Sequence, residues 1–242
     1  MRHIAFDRLH NFRDVGGYST SDGRTVQWRR LYRSDGLGKL AGADWAKFQT
    51  LGVKTVIDLR YPEEIVRRGR VPDYPGLTYH NLSIEHRPYK QATIAPDVEP
   101  VRFLADRNAE VLDDGVVELG QALAAIAGAD STPVVIHCAA GKDRTGLLAA
   151  LVLALVGVDD EDIIADYALT ELAAHKFVAD WQANPANPPI TWPAYGRSPA
   201  ESMRLTLKEL AATHGSAHDY ARDRLGADDA LLAALRARLL DP

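Results

Sequence analysis

Apolar and polar positions divide the chain into short β-branched runs and longer stretches with helical spacing. Val53 to Leu59, Leu77 to Ile84 and Val134 to Ile136 have the length and composition of strands. Trp45, Phe48 and Leu51 make one apolar face over Ala43 to Leu51, a helix that Gly52 stops. Glu63 to Arg70 predicts a short charged helix. Its Arg67, Arg68 and Arg70 read either as a solvated face or as a secondary contact to a phosphorylated headgroup. From Glu85 to Pro100 the prolines at 88, 96 and 100 break any regular element, and a loop of that length reads as a lid or specificity element. Helical pattern resumes at Val101, breaks near Asp113-Asp114-Gly115 and continues from Val116 to Ala127. After Val134 a polar, glycine-containing turn releases into the apolar run Leu147 to Val156, which predicts buried strand, tight loop and buried helix. Beyond Gly157 nearly everything is helical. Asp159 is a cap candidate, Glu171 to Ala183 a helix, and Asn184 to Pro199 a proline-rich crossing. Ser198-Pro199-Ala200-Glu201 reads as a capping-box start, and a last helix begins near Ala227.

Strands alternating with helices predict an α/β fold: a mainly parallel central sheet flanked by helices, with C-terminal helical additions and a ligand site beyond the carboxyl ends of the strands. At 242 residues and 46% apolar content the chain reads as a single domain over 1–242, a sheet-containing core to residue 157 and a helical covering segment over 158–242. A net charge of -5 gives no general attraction to nucleic acid or to an anionic membrane. The single Cys excludes an internal disulfide and fits a reducing cytoplasm. The N-terminus lacks the basic-then-apolar pattern of a signal peptide, and Leu147 to Val156 is about half the length of a membrane span. A soluble cytoplasmic protein with no transmembrane segment and no nucleic-acid partner is expected.

The candidate chemistry lies in the turn, which reads His137-Cys138-Ala139-Ala140-Gly141-Lys142-Asp143-Arg144-Thr145-Gly146. Five residues between Cys138 and Arg144 let a loop wrap one phosphate-sized anion. Backbone N–H groups of Ala139, Ala140, Gly141 and Lys142 then point inward, and the first turn of the next helix adds its positive end. Arg144 closes the ring, since a planar guanidinium meets two oxygens at once. The same field favours the nucleophilic thiolate at Cys138. His137 holds the loop backbone or supports the thiolate, Thr145 sets a hydroxyl beside the sulfur, and Gly141 allows close approach or positive φ. A nucleotide-binding loop would need Gly where Ile136 stands and Ser or Thr where Asp143 stands. A sulfurtransferase has no need of the closing Arg, and a structural core Cys would not sit among His, Gly, Lys, Asp and Arg.

This decapeptide resembles the signature of cysteine-dependent phosphatases, in the bacterial branch whose loop reads Gly-Lys-Asp-Arg-Thr-Gly. Asn11-Phe12-Arg13-Asp14-Val15-Gly16-Gly17-Tyr18, Leu31-Tyr32-Arg33-Ser34-Asp35 and Val56-Ile57-Asp58-Leu59-Arg60 have counterparts in the same order, and a weaker match covers Ala200 to Leu210. The resemblance implies hydrolysis of phosphate monoesters through a phosphocysteine, with phosphotyrosine proteins and phosphoinositides as substrate classes. It gives Arg13 and Asp14 a buttressing role, which Arg33, Asp35 and Arg60 share. No Trp-Pro-Asp loop is present, because Trp192-Pro193 is followed by Ala194. Asp143 is therefore the first candidate for the general acid, Asp58 the second and Asp35 the third; a salt bridge, perhaps to Arg144, is the other reading of Asp58. Lys142 suits a substrate with more than one phosphate, or is a solvent-exposed loop Lys. No cofactor and no metal are expected. A strict tyrosine phosphatase and a silent phosphate-binding scaffold are the competing functions.

Overall fold

The computed structural model describes residues 2–242. Among them, five strands form one sheet: β1 (Arg13–Asp14), β2 (Leu31–Ser34), β3 (Thr55–Asp58), β4 (Thr78–Asn81) and β5 (Val134–His137), in the order β1-β2-β5-β3-β4. β1 is antiparallel to β2, and the other pairs are parallel. The latest strand in the chain is thus the central one. Its residues are buried on both faces, which is what an unbroken Val-Val-Ile run specifies.

Side-chain alternation along the strands sorts the core into two layers. Tyr32, Val56 and Val135 face Phe6, Leu9, Phe12, Leu37 and Phe48, against which helix α1 (Gly42–Thr50) packs. Leu31, Ile57, Val134 and Ile136 face a larger cluster on the opposite side. That side is covered by α3 (Pro100–Asp114), α4 (Val116–Ala127), α5 (Asp143–Val156), α6 (Asp160–Ala168), α8 (Ala200–His214), α9 (Ala217–Leu225) and α10 (Asp229–Leu239). Helix α5 touches α3, α6, α9 and α10 as well as β5, so its Ala-Leu run is buried nearly all round. Two short helices stand at the carboxyl edge: α2 (Pro62–Arg68) after β3, and α7 (Ala174–Gln182) after a 3-10 turn over Leu169–Ala173. Among the described residues no helix is long and apolar enough to cross a membrane.

Some local expectations change. The polar turn near residues 7 to 18 contains β1, and Glu85 to Pro100 contains one 3-10 turn over Gln91–Thr93. Helix α8 starts at Ala200 with Pro199 in the cap position. Ser198 caps nothing, and its buried hydroxyl has no hydrogen-bond partner. Asp159 does precede α6, yet its side chain makes no cap bond. Side-chain caps come instead from Glu99, Ser216 and Asp228.

Candidate active site

The register of the parallel strands ends in one row, Ser34, His137, Asp58 and Asn81 side by side, and Cys138 is the next residue out. The thiol is 3% exposed, at the floor of the edge where α5 begins. Gly141 has φ +64°, and a Cβ there would lie 2.4 Å from the Ser34 carbonyl oxygen, so only glycine fits this turn of the loop against β2. The carbonyls of the loop point outward into the scaffold. Gly36 N donates to Ala139 O at 3.1 Å, Asn11 Nδ2 to Ala140 O at 2.9 Å, and Arg33 Nη2 to Gly141 O at 2.9 Å. The N–H groups of Ala139, Ala140, Gly141 and Lys142 take no hydrogen bond among the described residues. A peptide ring with carbonyls out and amides free is an anion site.

His137 is fully buried, its Nδ1 3.3 Å from Cys138 O and its Nε2 3.4 Å from an Asp58 oxygen. Burial pushes its pKa below the usual histidine value against the pull of Asp58, so the ring under the loop is neutral near pH 7. Thr145, also fully buried, keeps an Oγ1 with no partner among the described residues. A buried hydroxyl of this kind asks for an explanation, and in the first turn of the helix that follows the Cys138 loop a bound anion is one.

Behind the loop lies a buried ion cluster. Arg33 reaches Asp166 on α6 at 2.6 Å, and Arg13 reaches the same carboxylate at 3.3 Å. Burial pushes the Asp166 carboxyl up, and the two arginines more than offset it, holding it at about 2. Arg13 also donates to the side-chain oxygen of Asn11, whose amide carries the loop carbonyls. Asp35 is fully buried and accepts from His10 N and Asn11 N, both at 3.1 Å, and from Lys39 Nζ at 3.1 Å. It fixes the segment bearing Asn11 and is closed to substrate. Asp14 is spent elsewhere, accepting from Gly16 N and Arg29 N at 2.8 Å each, and touches no loop atom.

At the mouth, Arg144 is gripped by Glu64 of α2, Nη1 to Oε2 at 2.6 Å and Nη2 to Oε1 at 3.1 Å; its Nε lies 3.7 Å from Glu85 Oε2. The Cys138 sulfur is close enough for a thiolate there to stabilise the guanidinium charge. Asp58 is fully buried, held by Arg60 at 2.8 and 2.6 Å and by the Tyr79 hydroxyl at 2.9 Å. The salt bridge is therefore with Arg60 instead of Arg144, and neither Asp58 nor Arg60 reaches the cleft. Lys142 is 1% exposed: its Nζ donates to Arg197 O at 2.9 Å and pairs with Asp143 at 2.7 Å. It is neither solvated nor free for a second phosphate, and instead ties the loop to the crossing before α8. Asp143 stays half-buried at the first position of α5. Sequence reasoning missed Asn11, Asp166, Glu64 and Glu85. Arg13 and Arg33 lie in β1 and β2 and are buried, so they demand a counter-charge, but nothing in the local sequence around either points to Asp166. A hollow of about 380 Å³ between α3, α8 and α9 contains none of these residues. Among the described residues no three His, Cys, Asp or Glu side chains are placed to hold a metal ion.

Sheet and helices define an α/β protein with one mostly parallel sheet flanked by helices. The chain belongs to the tyrosine phosphatase family, whose model matches residues 4–241. A protein of Cupriavidus necator provisionally named a tyrosine-protein phosphatase is 32% identical over 247 residues, 96% of this chain and 87% of that one. The triple specificity protein phosphatase PtpB of Mycobacterium tuberculosis is 32% identical over 65% of each chain. The solved structure of TpbA from P. aeruginosa is 21% identical, covers 76% of this chain and 90% of that one, and gives a TM-score of 0.32.

Proposed function

We propose that the whole chain acts as one catalytic unit, a cysteine-dependent phosphatase that works through a phosphocysteine, on phosphotyrosine and on phosphoinositides. The observation that carries this is the loop between Cys138 and Arg144, whose carbonyls are tied to the scaffold while its amides have no protein partner among the described residues. The Cys138 thiolate attacks phosphorus in line, the ester oxygen leaves, and the negative charge on the equatorial oxygens is met by Arg144 and the loop amides. Each amide bonded to a charged oxygen contributes about 1.5–3 kcal/mol. Asp143 is the acid that protonates the leaving oxygen and then activates the water that cleaves the phosphocysteine, since it alone of the three aspartates is open to the cleft. Thr145 supports the departing sulfur, and His137 holds the loop from beneath.

Because Lys142 is committed to Arg197 and Asp143, a second phosphate needs another cation. Arg68 stands four residues after Glu64 on α2, on the helix face that turns Glu64 toward Arg144, and both Arg67 and Arg68 are exposed. This favours the dual substrate class over a strict tyrosine phosphatase. The test is phosphate release at pH 6 from a phosphotyrosine peptide and a short-chain phosphoinositide, with Cys138→Ser as blank. Turnover of both is expected. Turnover of the peptide alone makes the enzyme a protein phosphatase, and binding without any turnover makes it a scaffold.

A further inference from the structure

Arg144 has two edges that can grip a phosphate, and protein carboxylates stand at both. Glu64 takes the terminal pair Nη1 and Nη2 at 2.6 and 3.1 Å, and it cannot easily let go, because Oε2 also accepts from Tyr61 N at 3.0 Å in the first turn of α2. Nη1 also donates to Leu59 O at 3.4 Å, and the edge left open carries Nε and the second N–H of Nη2; the carboxylate nearest Nε there is Glu85 at 3.7 Å, beyond hydrogen-bond distance. Glu85 comes from the segment after β4. It is faced by Arg144 and Asp143 from α5, by Arg107 and Glu110 from α3, by Tyr61 and Glu64 from α2, and by Tyr89 of its own loop. Its sequence neighbours His86 and Arg87 turn away, toward Glu118 and Asp114.

The charges of this mouth do not balance. Arg144, Arg107 and Lys142 stand against Glu64, Glu85, Glu110 and Asp143, one carboxylate too many before the Cys138 thiolate or any ligand is counted. A phosphate-sized dianion brought to the Nε edge adds two more negative charges and draws Arg144 away from Glu85. Low-dielectric surroundings make that arrangement untenable unless a carboxylate is neutralised.

We infer that capture of a tetrahedral dianion by the Cys138 loop is coupled to uptake of one proton by Glu85, while Glu64 keeps Arg144 in position. This rests on the loop being the phosphate site, as proposed above. Glu85 is the group that yields for geometric reasons: it is the most buried of the four carboxylates, at 7%, and of the two beside Arg144 it is the one beyond hydrogen-bond distance. Burial already pushes its carboxyl above the usual range, with Arg144 and Arg107 pulling the other way, whereas Glu64 sits below its usual value, burial being outweighed by Arg144. The proton comes from solvent and returns to it when the anion leaves, so the charge of the closed site is restored on each turnover. Between the free-state and the anion-bound pKa of Glu85, each rise in pH makes anion capture harder; below that window Glu85 already carries its proton, above it neither state does, and no uptake occurs.

The probe is sulfate, a dianion that does not titrate near neutral pH, bound to the full-length Cys138→Ser protein so that the thiol contributes nothing. Titration calorimetry in two buffers of different ionisation enthalpy counts the protons. Uptake approaching one proton per sulfate is expected near pH 7, with Kd rising toward a limit of about tenfold per pH unit. Glu85→Gln in the same background is expected to bind sulfate with neither effect, and Glu64→Gln to keep the uptake while weakening binding. Proton-free sulfate binding by the Glu85 protein, or uptake that persists in a folded Glu85→Gln, overturns the coupling and leaves the phosphatase reading standing. Sulfate binding that survives Arg144→Ala overturns the loop assignment itself.

Discussion

The wall behind the Cys138 loop and the mouth in front of it are built from the same pairing, arginine against carboxylate, in opposite proportion. At the rear, Arg13 and Arg33 share the single carboxylate of Asp166, and all three are at most 2% exposed. Further donors of the two arginines reach Asn11 and the carbonyls of Gly141 and Lys142, which ties those carbonyls to the scaffold, while Arg33 Nε stays without a partner. At the mouth, Arg144 is shared by two carboxylates, and one of them keeps no hydrogen bond to it. The rear is fully buried and sets a geometry; the mouth carries excess negative charge and has to respond to what binds. An anion site needs both, since a site positive on every side would not release phosphate.

The largest effect tests the chemistry that both walls serve. Cys138→Ser is expected to lower turnover of a phosphotyrosine peptide by roughly 10³-fold or more while phosphate-ester binding persists. Activity within about tenfold of wild type removes Cys138 as the nucleophile. Arg144→Lys keeps a charge opposite Glu64 but loses the planar pair of donors, so kcat/KM should fall by about 10²- to 10³-fold with little change in Tm. Unchanged kinetics would refute the proposed grip. At the rear the currency changes from rate to stability. Asp166→Asn leaves two buried arginines without a counter-charge and should cost about 3–5 kcal/mol by denaturant titration. The same carboxyl gives a sign for pH: with its pKa depressed to about 2, its contribution is complete above the ordinary Asp value and drains away as pH falls through about 2. An Asp166→Asn protein as acid-labile as wild type would show that the cluster does not govern the acid limit. The smallest effect is expected of Asp143→Asn, about tenfold to 10²-fold, and larger for alkyl phosphates than for aryl phosphates with good leaving groups. An equal loss on both moves the acid role to another residue.

The strand and helix framework was legible because it is local. The runs at Val53 to Leu59 and Val134 to Ile136 follow from apolar patterning, the stop at Gly52 from a positive-φ glycine and the break at Gly115 from a glycine packed so closely on the Ile84 carbonyl that a Cβ would lie 2.2 Å from it, and β3, β5, α1, α3 and α4 fall where those signals stand. Cys138, Gly141 and Arg144 were legible for the same reason, all within one loop. What the sequence concealed is long-range pairing. Asp166 lies 133 residues from Arg33 and Glu64 lies 80 from Arg144, and no spacing rule links them. Lys142 misled because its neighbours in sequence suggest a loop cation, whereas its partner is a backbone carbonyl 55 residues away. Asp58 read equally as an acid or a salt-bridge partner; its bond to Arg60 is local, whereas only the fold brings Tyr79 and His137 against it.

The position of β5 also sets an order of events. It enters the sheet between β2 and β3, both of which precede it in the chain by more than seventy residues. A nascent polypeptide that has emerged only as far as Asp114 owns two separate ribbons, β1 with β2 and β3 with β4, whose facing edges are bare. Nothing local joins them, and such edges invite pairing with other chains. The strand that joins them also delivers the reactive thiol one residue later. One strand thus both closes the gap between the two ribbons and sets the cysteine at the carboxyl edge, while the supports of its loop, Asp166 and the Arg197 carbonyl, arrive later in the chain.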